Sequence, residues 1–200
     1  AEAGQGGVIV DDASGRNLPK LGYPGAPRSI ADNVLVLNFN DVASLEHSIA
    51  PRANDVAAIL IDPMPSRAGL LHPAPDFIAT VSAVARKYGI LVIADEVLNL
   101  RQGFAGASAR YGLEPDLITV GKIIGGGFPV GAIGGRADVM AVFGSDDEAP
   151  LLSQGGTFSA NPVSMVAGKA AMEAMTLEAF DRLERLGDGL RKGLADVVLK

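Results

Sequence analysis

The feature that most constrains this chain is an alternation of short, unbroken apolar runs with stretches whose apolar residues recur every three or four positions. Val34-Leu35-Val36-Leu37, Val56-Ala57-Ala58-Ile59-Leu60-Ile61, Leu91-Val92-Ile93-Ala94 and Leu117-Ile118-Thr119-Val120 are strand-sized and almost wholly apolar, as strands covered on both faces are. Val130 to Ile133 adds a further short candidate. Between these runs, Asp41 to Ile49 sets Val42, Leu45 and Ile49 on one helical face behind a capping aspartate, and Phe77 to Tyr88 repeats Phe77, Val81, Val84 and Tyr88 until Gly89 stops it. Covered strands separated by helices predict an α/β fold with a largely parallel sheet flanked by helices.

Further along, the pattern predicts a short helix over Gly106 to Tyr111, a helical turn over Asp138 to Phe143 and a polar loop over Gly144 to Pro150. Asn161-Pro162 reads as a capping side chain before a proline at the first helical position, with Val163, Val166, Ala170 and Ala174 following at helical spacing. A last helix carries Leu183, Leu186, Leu190, Leu194 and Val197 on one face, and the sequence offers no visible partner for it. Residues 1–30, interrupted by Pro19, Pro24, Gly25 and Pro27, read as a loop-rich lead-in. The 200 residues are 48% hydrophobic and 20% charged, enough to build a core. A net charge of -6 without a basic run argues against nucleic acid as partner. No apolar run approaches the ~18–20 residues that span a bilayer, so no membrane association is expected. The absence of cysteine removes disulfides, thiolate metal sites and a cysteine nucleophile. A cytoplasmic protein is the expectation, and a start at Ala1 without a signal-peptide pattern suggests a chain that begins inside a longer one.

In an open parallel sheet, ligands bind beyond the carboxyl ends of the strands. Three apolar runs end there in ionisable residues: Asp62, Asp95-Glu96 and Lys122. Any one alone is explained by solvent at a strand end; together they suggest a site. Lys122 lies between Gly121 and Gly125-Gly126-Gly127, a backbone open to close approach by a ligand. A lysine whose pKa is lowered can add to an aldehyde. A P-loop is excluded, because Asp116 stands where its first glycine belongs and Ile123 where Ser or Thr belongs. No G-x-G-x-x-G is present either. Asp95 suits a cation held in the crevice, and the ring nitrogen of pyridoxal 5'-phosphate is such a cation. Lys122 and Asp95 thus fit opposite ends of one cofactor, and Thr157, in Gln154-Gly155-Gly156-Thr157, offers a hydroxyl to its phosphate. His47 and His72 have no third ligand nearby, so no metal site is expected.

The stretches Ile93-Ala94-Asp95-Glu96-Val97, Pro115-Asp116-Leu117-Ile118-Thr119-Val120-Gly121-Lys122 with Gly125-Gly126-Gly127, Pro129-Val130-Gly131-Ala132, Gly134-Gly135-Arg136 and Gly156-Thr157-Phe158-Ser159-Ala160-Asn161-Pro162 resemble the class III pyridoxal-phosphate-dependent aminotransferases. Within them the likeness lies nearest the glutamate-1-semialdehyde aminomutases and their transaminase relatives, and it runs from about Pro24 onward. The resemblance implies a partial large domain of fold-type I over residues 31–175 and, over 176–200, a helix leading toward a C-terminal domain. It implies that Lys122 forms the Schiff base, Asp95 pairs with the pyridine nitrogen, Val97 packs on the ring face, and Thr157 binds phosphate across the interface of a homodimer with shared sites. The implied reaction moves an amino group between an amino acid and an oxo acid or aldehyde, both small molecules, with Lys122 as the proton-moving base. Three departures bear on substrate: Asp62-Pro63 replaces the usual Glu-Pro, Arg67 stands where relatives carry Glu or Asn, and Leu98-Asn99-Leu100-Arg101 lacks the family's glycine. Arg67 and Asp62 are therefore candidate substrate-binding residues. The departures favour a transaminase, with an aminomutase as alternative and a fold-only fragment as a second.

Overall fold

The computed structural model describes residues 32–144 and 149–198, together with 10–11, 17–18, 25, 27 and 29. Two compact units are distinguished, residues 1–59 with 64–91, and residues 60–63 with 92–200.

In the first unit, β1 (Val10–Asp11) pairs antiparallel with β2 (Asn17–Leu18). Helix α1 (Val42–Ile49) starts where the Asp41 carboxylate accepts the Ser44 N–H at 3.1 Å, and it buries Leu45 and Ile49. Helix α2 (Pro75–Tyr88) has proline at its first position and ends where Gly89 takes a left-handed φ of 67°, its N–H bonding Ala85 O. Phe77, Ile78, Val81, Val84 and Ala85 are buried along it, and Phe77 meets the edge of Phe39 at 5.1 Å. On the outside, Glu46 of α1 accepts from both Lys87 Nζ and Tyr88 OH. Val34 to Leu37 does not form the expected strand. Its residues favour an extended chain, yet no strand pairs with it among the described residues, and side-chain pattern alone does not make a ladder.

The second unit holds most of a four-stranded sheet of order β3 (Ala58–Ile61), β4 (Leu91–Asp95), β5 (Leu117–Gly121), β6 (Gly131–Gly135). Strands β4 and β5 run parallel, with Ile93 opposite Leu117 and Asp95 opposite Thr119. Strand β6 runs antiparallel to β5, Leu117 opposite Gly135 through Gly121 opposite Gly131, so the sheet is mixed at this edge. Asp116, just before β5, fixes both neighbours. Its Oδ2 accepts Val92 N–H at 2.7 Å while its own N–H bonds Val92 O at 2.8 Å. On the other side its carbonyl accepts Arg136 N–H at 2.9 Å and its Oδ1 accepts Arg136 Nη1 at 2.7 Å. A β-carbon at Gly135 would overlap the Asp116 carbonyl, so the strand beside the clamp must be glycine there.

Four helices complete this unit: α3 (Gly106–Tyr111), α4 (Ala137–Met140), α5 (Pro162–Ala174) and α6 (Leu177–Val198). Asn161 caps α5 as its sequence predicts, accepting from Val163 and Ser164. The inward face of α5 is not the one its valines mark: Ser164 and Gly168 are buried, whereas Val163 and Val166 are exposed. Small size, not apolarity, selects that face. Helix α6 is anchored where Phe180 meets Phe104 edge-on at 6.2 Å and Arg110 pairs with Glu184 at 3.0 Å. Its Leu183, Leu186, Leu190, Leu194 and Val197 stripe is exposed.

Burial opposes ionisation of Asp116, but the Val92 N–H and the Arg136 guanidinium outweigh it and hold the carboxyl below its ordinary value. The native pKa being lower than the unfolded one, this contribution is complete above about pH 4 and is lost as the pH falls through the native value. Asp116→Ala is expected to cost about 1–2 kcal/mol in urea unfolding at neutral pH. Asp116→Asn, whose amide oxygen keeps the Val92 bond, should cost less, and the difference between the variants and the parent should shrink on acidification below pH 4.

Candidate active site

Strand β5 delivers Lys122 through a narrow passage. Gly121 is buried and extended, and a β-carbon there would stand 3.3 Å from Val130 O and 3.5 Å from Val97 Cγ1. Lys122 follows with a φ of 49°, in the left-handed region that disfavours any side chain. The chain then makes a single 3-10 turn, Lys122–Gly125, closed by Gly126 at φ 59°. This turn packs on α5. A β-carbon at Gly168 would overlap Ile124 O, one at Gly126 would overlap Ala167 O, and one at Gly125 would lie 2.7 Å from Val130 Cγ1. Ser164 Oγ adds a bond to Pro129 O at 2.8 Å. The expectation that these glycines open the backbone to a ligand is therefore corrected: Gly126 makes room for the helix and Gly125 for Val130, and only Gly127 among the three has free space around it.

A cleft of about 370 Å³ lies over the turn, lined by Lys122, Ile123, Gly127 and Phe128 on one side and Val97, Leu98 and Arg101 on the other. Asp95 closes β4, its Oδ1 accepting Val97 N–H at 3.0 Å and Thr119 Oγ1 at 3.3 Å. Both bonds fall on one oxygen, and Oδ2 takes none among the described residues. Because β4 and β5 are parallel, Asp95 and Lys122 leave the sheet at the same edge. Val97 lines the cleft together with Lys122.

Two polar residues that sequence reasoning left unassigned shape the cleft from behind. Glu96 is 2% exposed, and its carboxylate accepts Ala107 N–H at 3.1 Å and Ser108 N–H at 2.6 Å. It serves as the cap that Ala105 lacks at the start of α3. Gly106, at φ 81°, lies so near that its β-carbon would stand 3.1 Å from Glu96 Oε1. The sequence hints only that a cap is missing at Ala105, not which residue supplies it. Asn99, also buried, donates to Asp62 Oδ1 and accepts from Gln102 Nε2. Asp62 is thus engaged with the segment after β4. Thr157 stands in an exposed turn, Gly156 O accepting Ser159 N–H, and does not line the cleft. Arg67 lies exposed in the first unit, on a 3-10 turn over Ser66–Ala68. Among the described residues no cluster of His, Cys, Asp or Glu could hold a metal ion, and no helix is long and apolar enough to cross a membrane.

Comparison with known proteins adds the following. The family Aminotransferase class-III matches residues 20–199. A glutamate-1-semialdehyde 2,1-aminomutase from Sorangium cellulosum is 44% identical over 187 residues, covering 90% of this chain and 42% of the relative. An omega-transaminase from Sphaerobacter thermophilus superposes with a TM-score of 0.89 at 45% identity, over 93% of this chain and 42% of that one. A structure described as a transaminase with PLP bound gives 0.84 at 34% identity, over 94% of this chain and 45% of that one. The chain therefore spans less than half the length of these relatives, and its α/β architecture is that of the fold-type I transaminases.

Gly168→Ala forces the turn bearing Lys122 away from α5; a stability loss of about 1–3 kcal/mol is expected in urea unfolding. Glu96→Gln leaves one acceptor oxygen for two buried N–H groups and should cost about 1–3 kcal/mol, with amide hydrogen exchange at Ala107 or Ser108 accelerating.

Proposed function

The chain belongs to the class III aminotransferases, and on that premise we propose that it is the cofactor-binding part of a pyridoxal-phosphate-dependent transaminase that moves an amino group between an amino acid and an oxo acid or aldehyde. The observation that supports this best is the parallel pairing of β4 with β5, which brings Asp95 and Lys122 out at one edge of the sheet. The residues fit the group: an amine opens onto a cleft of about 370 Å³ with largely apolar walls, and a strand-end carboxylate keeps one oxygen unbonded among the described residues. When bound, the cofactor supplies an aldehyde to take up the amino group and a conjugated ring to receive the electron pair left as the substrate loses its carbon-bound proton.

In this reading Lys122 Nζ would hold the cofactor covalently and, as a free amine, would carry the proton from and to the substrate carbon. The Asp95 carboxylate would pair with the protonated ring nitrogen, while Val97 N–H and Thr119 Oγ1 fix Oδ1 and keep the group oriented. Val97, which lines the same cleft, would pack on the ring face. Thr157 Oγ1 binds phosphate in a homodimer with shared sites, and Arg67 and Asp62 act on the substrate side, Asp62 through Asn99. A glutamate-1-semialdehyde 2,1-aminomutase is the second reading, favoured by the Sorangium cellulosum relative. The absence of the family's glycine in Leu98-Asn99-Leu100-Arg101 supports the transaminase.

The test is borohydride reduction of the full-length protein after loading with pyridoxal phosphate, followed by peptide mass analysis. A mass increase is expected on the peptide containing Lys122, absent in Lys122→Ala; a label elsewhere or none would end the proposal. Asp95→Asn should keep the label and lower turnover on the order of 10²-fold. Supplying donor and acceptor as separate molecules then separates the two readings, because an aminomutase returns the amino group to the same carbon skeleton.

A further inference from the structure

The wall of the cleft opposite Lys122 is a short segment whose backbone is tied down while two of its side chains face the opening. Leu100 N–H bonds Glu96 O at 3.0 Å, and buried Asn99 is held by Asp62 and Gln102. The Gln102 carbonyl accepts Arg110 Nη1 at 3.1 Å. Residues Asn99–Gln102 form one 3-10 turn, with about three residues per turn, so Leu98 and Arg101 share a face while Asn99 faces the interior. Both line the cleft. Lys122 and Arg101 are the charged groups of its lining, and no carboxylate lines it. Among the described residues the Arg101 guanidinium has neither ion pair nor hydrogen bond, whereas Arg110 and Arg136 are each matched with a carboxylate.

We propose that Arg101 recognises the carboxylate of the substrate, and that Leu98 and Phe128 beside it accept an apolar chain, so that the cleft selects amino acids with an aliphatic or aromatic body over amines that lack the acid. The inference rests on the transaminase reading. A guanidinium presents paired N–H donors that match the two oxygens of a carboxylate, and a rigid backbone lowers the cost of holding it in place. Leu98 and Phe128 are both about half exposed, at 41% and 47%, and give the chain of such a substrate apolar area to cover.

The experiment uses the full-length protein loaded with pyridoxal phosphate, and titrates hexanoate against hexanamide while following the visible absorbance of the bound cofactor. In Arg101→Met, hexanoate affinity should fall about 10- to 100-fold, the loss expected for a charge-assisted pair, while hexanamide affinity stays within twofold. Arg101→Lys should recover part of the loss, since it restores charge without the planar fork. Equal loss for both probes, unchanged hexanoate binding, or no hexanoate binding by the parent would overturn the assignment. So would release of the cofactor from Arg101→Met on dialysis, which would make Arg101 a phosphate ligand. If the parent carries no borohydride label on Lys122, the transaminase reading fails and this inference falls with it; a labelled parent with any of the other adverse outcomes removes the role of Arg101 alone.

Discussion

Asp116 holds three strands at once. Its carboxylate and backbone N–H grip Val92 of β4, its carbonyl and carboxylate grip Arg136 beyond β6, and β5 begins one residue later. Arg136 is itself braced by Asp138 at 2.5 Å. A strand that slips by one residue turns every side chain to the other face of the sheet. The fastening at the amino end of β5 therefore decides what emerges at its carboxyl end, five residues on, where Gly121 leads to Lys122. Asp95, paired opposite Thr119, is placed by the same register.

Beyond the strand the constraint changes from hydrogen bonding to close approach. The turn that follows Lys122 and the helix Pro162–Ala174 touch backbone to backbone, because Gly126 and Gly168 have no β-carbon and Ser164 is short. The buried face of the helix is consequently its small face, and its valines are left outside. On the other wall, Glu96 caps a helix and Asn99 links Asp62 to Gln102. The cleft is thus defined by buried polar groups and missing side chains as much as by apolar packing.

The sequence disclosed what depends on periodicity and local capping. Asp41 and Asn161 start the helices they were expected to start, Gly89 ends the helix before it, and the apolar runs at 56–61, 91–94 and 117–120 supply the strands at 58–61, 91–95 and 117–121. It did not disclose what depends on distant neighbours. Val34 to Leu37 has the residues of a strand without a ladder partner, and Gly168 looks like a weak point in a helix until Ile124 is brought against it. Glu96 resembles any exposed acid at a strand end, since only the fold brings the N–H groups of Ala107 and Ser108 to its carboxylate. For the site, strand-end chemistry singled out Asp95 and Lys122, and the structure puts Val97 in the cleft with the lysine. Thr157 stands apart from that cleft, and Arg101 entered only as a departure from a loop pattern.

Lys122 occupies a left-handed backbone position, with φ 49°. A side chain there costs about 1–2 kcal/mol relative to glycine, and the exposed amine gains no burial in return. Selection for folding alone would replace this lysine, because glycine relieves the backbone and disturbs no packing. Backbone and side chain are thus at odds at residue 122, and a lysine held there is held against thermodynamic robustness.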